Sequence, residues 1–376
     1  MGYLSYQSNP KYFSLISATF RPLVTWVLLG INVVLWLALN ISGASDDPNV
    51  LLRFGAMFGP LVAKGEYWRL FSAMFLHVGL MHLIFNGFSL FIFGRMVESI
   101  YGKFQFLSLY ILAGLFGSAF SYMLNSIAIG IGASGAIFGV IGALVTFFFT
   151  QSRNTGRMVK GNLYGILMLA GINLFYGLIT PGIDNWAHIG GFIAGVSLGF
   201  FLTPRFQSPN LIFCSACGEK SYVGAEFCSG CGIKLGFGKK AAETKISLIT
   251  KRLIDEIFLP KRIWFLFCIL VILGGVVFLG TLKLAENPYT HFYFAEEYFN
   301  QLEYEKTLSE IDKALAIDSS FSQAYLLKAK VFIDLGDLSA AETEIGRALK
   351  FASVKGNKKI IEEAINLSHQ THVRQN

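Results

Sequence analysis

Apolar runs long enough to cross a bilayer recur along the chain, near residues 22–42, 80–98, 103–124, 132–151, 161–180, 186–203 and 263–282. Each predicts a membrane-spanning helix, giving seven spans and an all-α, polytopic architecture. Polar sequence is confined to a short head, to 205–262 and to 283–376. The first run lacks a small-residue cleavage site and reads as a retained span, not a signal peptide.

Composition agrees: 53% of the 376 residues are hydrophobic and the mean hydropathy is +0.53, far above a soluble domain. Loop charge sets the orientation. Arg95 and Lys103 flank the turn between spans 2 and 3, and Arg153, Arg157 and Lys160 lie between spans 4 and 5. Lys239, Lys240, Lys245, Lys251 and Arg252 follow span 6, whereas the 3–4 and 5–6 turns have no Lys or Arg. The positive-inside rule therefore places the N-terminal segment, 1–21, in the cytoplasm. Arg53, Lys64 and Arg69 in the first loop run against this, but they are the minority. The net charge of +7 reflects these loops. No soluble basic face with interleaved aromatics is present, so nucleic acid is not an expected partner.

With this orientation spans 2, 4 and 6 all begin at the outer face. Their unusual polar residues then share one depth: His82 and Asn86 in "HVGLMHLIFNG", Ser134 in "IGASGAIFGVIGAL" and His188 in "NWAHIGGFIAG". Polar and ionisable groups inside a membrane are costly and point to function. Gly135 and Gly139 on span 4, and Gly191, Gly195 and Gly199 on span 6, form small-residue stripes at a spacing of four. Such stripes let helix backbones approach closely, which would bring His188 within reach of Ser134.

The strings "GEYWRLFSAMFLHVGLMHLIFNGFSLFIFGRMVE", "GASG" and "AHIGGFIAG" closely resemble the rhomboid family of intramembrane serine proteases, over about residues 20–204. The resemblance implies a six-helix core, 22–204, in which Ser134 of the GxSG motif, flanked by Gly132 and Gly135, attacks the peptide bond. It implies that His188, in an AHxxGxxxG motif with Gly191 and Gly195, serves as general base and acid. By the same resemblance His82 and Asn86 help to hold the oxyanion, and Trp68 and Arg69 form the family's first-loop pair. Where the family often has a tyrosine stacked beneath the histidine, this chain has Phe138, which keeps the ring and loses the hydroxyl. Substrates would be membrane-spanning helices that unwind locally.

The chemistry is coherent from the residues themselves. A serine hydroxyl needs an adjacent base to become a nucleophile, and a histidine is suited to that at neutral pH. No Asp or Glu lies within spans 4 or 6, so a Ser–His dyad is expected; Asp184, in the preceding loop, is a poor third member. Backbone N–H groups at the start of span 4 would stabilise the anionic intermediate. No cofactor is expected for catalysis. A non-catalytic rhomboid-like protein that binds or sorts membrane proteins is the alternative. A small-solute transporter would need broken helices and pseudo-repeated halves, and neither is visible.

Further modules follow the core. Cys214, Cys217, Cys228 and Cys231 form two CxxCG knuckles, the pattern of a structural zinc ribbon over 211–235. A cytoplasmic position disfavours the competing reading of two disulfides. A basic linker, 236–262, faces anionic lipid and leads to span 7, 263–282, where Cys268 is a small packing residue. Beyond it "LEYEKTLSEIDKALAID" and "GDLSAAETEIGRALKFA" align with a shift of 34, the period of tetratricopeptide-like repeats, over 288–370. Such stacks bind a protein partner in a groove. The chain is thus expected to be a multi-pass protein of a bacterial inner membrane, with the ribbon inside and the repeats outside.

Overall fold

The computed structural model describes residues 21–42, 47–125, 127–152, 157–202, 211–222, 227–228, 230–234 and 268–375. The head before residue 21 and the basic linker 236–262 lie outside the described residues, as do parts of the cysteine-rich segment. Among the described residues helix dominates, joined by one short antiparallel ribbon of β1 (Leu211–Phe213) and β2 (Lys220–Tyr222).

The first span is α1 (Leu23–Ile41). A folded first loop follows, with α2 (Pro48–Arg53), α3 (Gly59–Ala63) and α4 (Arg69–Ser72). Span 2 comprises α5 (Gly79–Ser89), a π turn at Leu90–Gly94 and α6 (Arg95–Tyr101). It therefore runs to Tyr101, beyond the apolar run that announced it, because the helix continues through Arg95 and Glu98 where Glu98 is buried. Then come α7 (Lys103–Leu124), α8 (Ser134–Ser152), α9 (Arg157–Ile179) and α10 (Asn185–Leu202). The described part of span 7 is α11 (Cys268–Ala285), which ends three residues beyond the expected Leu282.

The protein is an integral, polytopic membrane protein. Large apolar side chains such as Trp26, Phe85, Met168, Phe175 and Leu279 project outward from α1, α5, α9 and α11. That arrangement suits hydrocarbon, where helices satisfy their own backbone groups. At the centre stands α8, whose Ala136, Val140, Ala143, Leu144 and Phe148 are buried. Lipid tails are as apolar as leucine, so the spans associate through close packing more than through water exclusion. The α8–α10 contact shows how: a Cβ on Gly191 would run into the Gly135 carbonyl oxygen, and one on Gly195 into that of Gly139.

A buried carboxylate ties the first two spans. Glu98 accepts bonds from the Val24 N–H (3.0 Å), the Thr25 N–H (2.9 Å) and the Thr25 hydroxyl (2.8 Å). Because α1 has no side-chain cap of its own, Glu98 supplies acceptors for two N–H groups of its first turn.

The first loop is pinned by Arg69, which is buried. Its guanidinium donates to the Leu52 and Ala56 carbonyls at 2.6 and 3.1 Å and to Glu66, while lying 4.7 Å from the ring of exposed Trp68. The Trp–Arg pair therefore organises the loop and lies away from the polar cluster described below.

Past α11 the chain forms helical hairpins. Asn287 caps α12 (Pro288–Asn300) through the Tyr289 N–H, with Pro288 at the first position. Next are α13 (Tyr304–Ile317), α14 (Ser322–Asp334), α15 (Leu338–Lys355) and α16 (Lys358–Gln375). Tyr304 opens α13 and Leu338 opens α15, and Ile311, Ala314, Ile345 and Ala348 are buried.

Candidate active site

A short extended segment leads into α8. Met57 of the first loop pairs with Gly130, N–H to carbonyl at 3.0 Å and carbonyl to N–H at 2.8 Å. Two residues on, the Gly132 N–H donates to the Ala73 carbonyl at 2.9 Å. Gly132 has φ +118, a region closed to residues with a Cβ, and a Cβ there would also press on the His82 ring. The turn delivers Ser134 as the first residue of α8, where N–H groups of the first helical turn have no intrahelical acceptor.

Opposite, α10 is started by Asp184. Its carboxylate accepts from the Ala187 N–H at 3.1 Å and from the Ser121 hydroxyl, anchoring the helix to the end of α7. One turn in, His188 is buried and its Nε2 lies 2.8 Å from Ser134 Oγ. The Phe138 ring stacks on the imidazole at 4.4 Å and 12°, fixing its plane. Both oxygens of Asp184 are engaged elsewhere, and among the described residues no acceptor bonds His188 Nδ1. Nε2 accepts the serine proton only in the tautomer that carries hydrogen on Nδ1.

Ser134, His188, His82 and Asn86 all line one cavity of about 1010 Å³. The Asn86 amide donates to the His82 carbonyl at 3.0 Å, so in this state it is turned back onto its own helix. Gly135, Gly191 and Gly195 contribute absence of bulk. Trp68 and Arg69 do not line the cavity.

Sequence reasoning missed His77. Its ring is fully buried, edge-on to His82 with centroids 5.1 Å apart. Nδ1 lies 3.3 Å from the Phe75 carbonyl and Nε2 accepts from the Ala133 N–H at 3.4 Å. A neutral imidazole satisfies both, and it holds the backbone immediately before Ser134. The signal was present, since His77 stands five residues before His82 in the same string, but bonding to a distant backbone N–H leaves no periodicity. Loss of this tether in His77→Ala should free the backbone before Ser134, so that amides across 128–134 exchange roughly tenfold faster. Hydrogen exchange of the full chain in detergent would check this.

A second cluster lies apart. The sulfurs of Cys214, Cys217, Cys228 and Cys231 all fall within 4.8 Å of one another, with Cys214–Cys231 at 3.7 Å and Cys217–Cys228 at 3.6 Å. All four are free thiols. Four sulfurs about 2.3 Å from one tetrahedral ion would be about 3.8 Å apart, so the set could hold a metal ion. The two knuckles repeat one geometry: Gly218 (φ +74) and Gly232 (φ +70) each return an N–H to the carbonyl of the first cysteine of their pair. N–H groups of Cys231 and Gly230 pull the Cys228 thiol down to about 6. Cys217 is instead pushed up to about 12, against the Glu219 N–H, by the neighbouring sulfurs. Gathered thiols whose protons compete in this way are the donor chemistry a thiophilic cation relieves.

Comparison with known proteins agrees with the geometry. Residues 64–205 match the Rhomboid domain family, an interval that holds every residue of the cavity's polar cluster. The chain is 37% identical over 175 residues to "Rhomboid protease GluP" of Bacillus subtilis, covering 46% of this chain and 34% of that protein. It is 37% identical over 164 residues to "RHOMBOID-like protein 6, mitochondrial" of Arabidopsis thaliana, covering 43% of this chain and 52% of the relative. The chain thus spans between a third and about half the length of these relatives. Against "Rhomboid protease AarA" of Providencia stuartii it is 34% identical over 206 residues, 48% of this chain and 73% of that protein. Sequence identity of that order across most of a relative's length leaves one conclusion: this chain belongs to the rhomboid family.

Proposed function

We propose that the chain is an intramembrane serine endopeptidase that cuts membrane-spanning proteins near the outer ends of their helices, using Ser134 and His188 as a dyad. The observation that carries this reading is the 2.8 Å contact between His188 Nε2 and Ser134 Oγ at the wall of a cavity. As Oγ attacks the scissile carbonyl, Nε2 takes its proton; the imidazolium then protonates the departing amine, leaving an acyl-enzyme for water to hydrolyse. The new oxyanion would sit against the first N–H groups of α8, with His82 and, after rotation, the Asn86 amide as further donors. Phe138 supports the imidazole through its ring face alone. The relatives named proteases favour this reading over a non-catalytic sorting factor. The test is incubation of purified protein with a single-span substrate and mass analysis of both fragments. A cut within a turn or two of the substrate's outer membrane boundary is expected; an intact substrate, or a cut at the cytoplasmic end, contradicts the assignment.

We also assign a structural Zn²⁺ to the four cysteines, within a small ribbon on the cytoplasmic side. It would supply no chemistry to Ser134, only a tetrahedral cross-link for a segment with little core of its own. Metal analysis should find about one zinc per chain, lost in Cys214→Ser/Cys217→Ser, while proteolysis continues.

The 34-residue hairpins are read as tetratricopeptide-like repeats that present a groove to a protein partner. In the proposed topology they lie outside, on the face where Ser134 opens, in a bacterial inner membrane. Cysteines introduced at Ser319 and Ser152 in a cysteine-free background test this. On intact cells a membrane-impermeant maleimide should label the first and spare the second. Labelling of Ser319→Cys only after lysis would place the repeats inside.

A further inference from the structure

The C-terminal module does not hang free of the membrane core. Near the end of α11, Leu284 is fully buried in a cluster with Met57, Val62 and Leu70 of the first loop and Tyr122 of α7. Thr281 Oγ1 lies 2.9 Å from the Tyr122 hydroxyl, and Gly280 lets the Tyr122 ring lie against the helix, since a Cβ there would strike it. The next helix, α12, seats on the loop itself. The Tyr293 ring meets Phe58 edge-on at 4.9 Å and 71°. Lys64 donates to both carboxylate oxygens of Glu297 at 3.1 Å, and its ammonium stands 5.4 Å from the centre of the Phe294 ring.

Phe58 adjoins Met57, and Met57 is the residue whose two backbone bonds hold Gly130. From Gly130 the chain needs only three residues to reach Ala133, and the next is Ser134. One face of the first loop thus carries α12, while its backbone carries the segment that aims the nucleophile.

We infer that α11 and α12 act as a brace on the first loop, so that the seating of α12 against Phe58 and Lys64 sets the rigidity of the Gly130–Ser134 segment and with it the reactivity of Ser134. The Lys64–Glu297 pair is partly exposed, at 43% and 31%, so it orients the contact more than it strengthens it. Leu284 and the aromatic pair supply the adhesion. Tyr293 and Glu297 also belong to the first helix of the repeats, so whatever engages the repeats acts on the brace. The effect on Ser134 rests on the protease reading; the effect on backbone rigidity does not.

The experiment therefore carries two readouts on the full chain in detergent. Hydrogen exchange is followed in peptides covering 56–64 and 128–134, and labelling of Ser134 by a fluorophosphonate is timed. In Tyr293→Ala/Glu297→Lys both peptides should exchange roughly tenfold faster. Labelling should slow roughly three- to tenfold as the nucleophile loses its alignment. Glu297→Lys alone should shift both readouts in the same direction but less, and adding Lys64→Glu to it should reverse that shift, which a general loss of folding would not. Faster exchange confined to 56–64, or wild-type exchange throughout, would overturn the brace. A wild type that takes no label at all would instead count against the protease reading, with the exchange data still deciding the brace.

Discussion

Cleavage of a single-span substrate is expected to fall at least roughly 1000-fold when Ser134 becomes alanine, and about as far when His188 does. In the proposed dyad the two would behave as one unit: without Oγ there is nothing to acylate, and without Nε2 the hydroxyl keeps its proton. The double variant should therefore be scarcely worse than either single one. Neither change should disturb folding, since Ser134 bears only a small side chain on a cavity wall and the backbone turn before it is held by Met57, Ala73 and His77. Kinetics beside thermal unfolding in detergent would check both halves of this expectation. Normal turnover by Ser134→Ala would remove the assignment.

The second large effect concerns a residue with no chemistry. Gly191→Ala should lower activity more than roughly 100-fold and also lower thermal stability. Its Cβ would meet the carbonyl oxygen, carbonyl carbon and Cα of Gly135, all backbone, so no side chain can yield and the helices must part. Overpacking of that kind costs about 1–3 kcal/mol. The displacement lands on the pair that matters, since Gly135 follows Ser134 and Gly191 lies one turn from His188. A shift of about 1 Å at a reacting pair is enough to lose about 100-fold in rate. Gly171→Ala in α9 is the control: nothing lies within 4 Å of its Cβ position, so stability and turnover should hold.

These two expectations also mark what the sequence could and could not convey. The succession of apolar helices follows from patterns that lipid enforces, as do the central polar residues and the glycine stripes. Six of the helices are long enough to span among the described residues, where seven were expected, because the Ser134 helix is shorter. The Phe138 stack is what the family resemblance implies, a ring beneath the histidine. Contacts between elements distant in the chain left no such trace. His77 is held by a carbonyl two residues away and an N–H in another loop. Asp184, discounted as a triad member, proves to be a helix cap and a tie to Ser121. Arg69, grouped with the site by resemblance, spends its donors on loop carbonyls and on Glu66. Seating of α12 on the first loop joins segments more than 200 residues apart, which only the folded structure brings together.

The most direct test of the proteolytic reading is the site of covalent capture by a fluorophosphonate, which reacts with serines made nucleophilic by a neighbouring base. One phosphonylated residue is expected, Ser134, found by mass spectrometry of the wild-type protein, absent in Ser134→Ala and formed far more slowly in His188→Ala. Capture at another serine, or a Ser134 that stays unmodified in protein still able to cut its substrate, would contradict it.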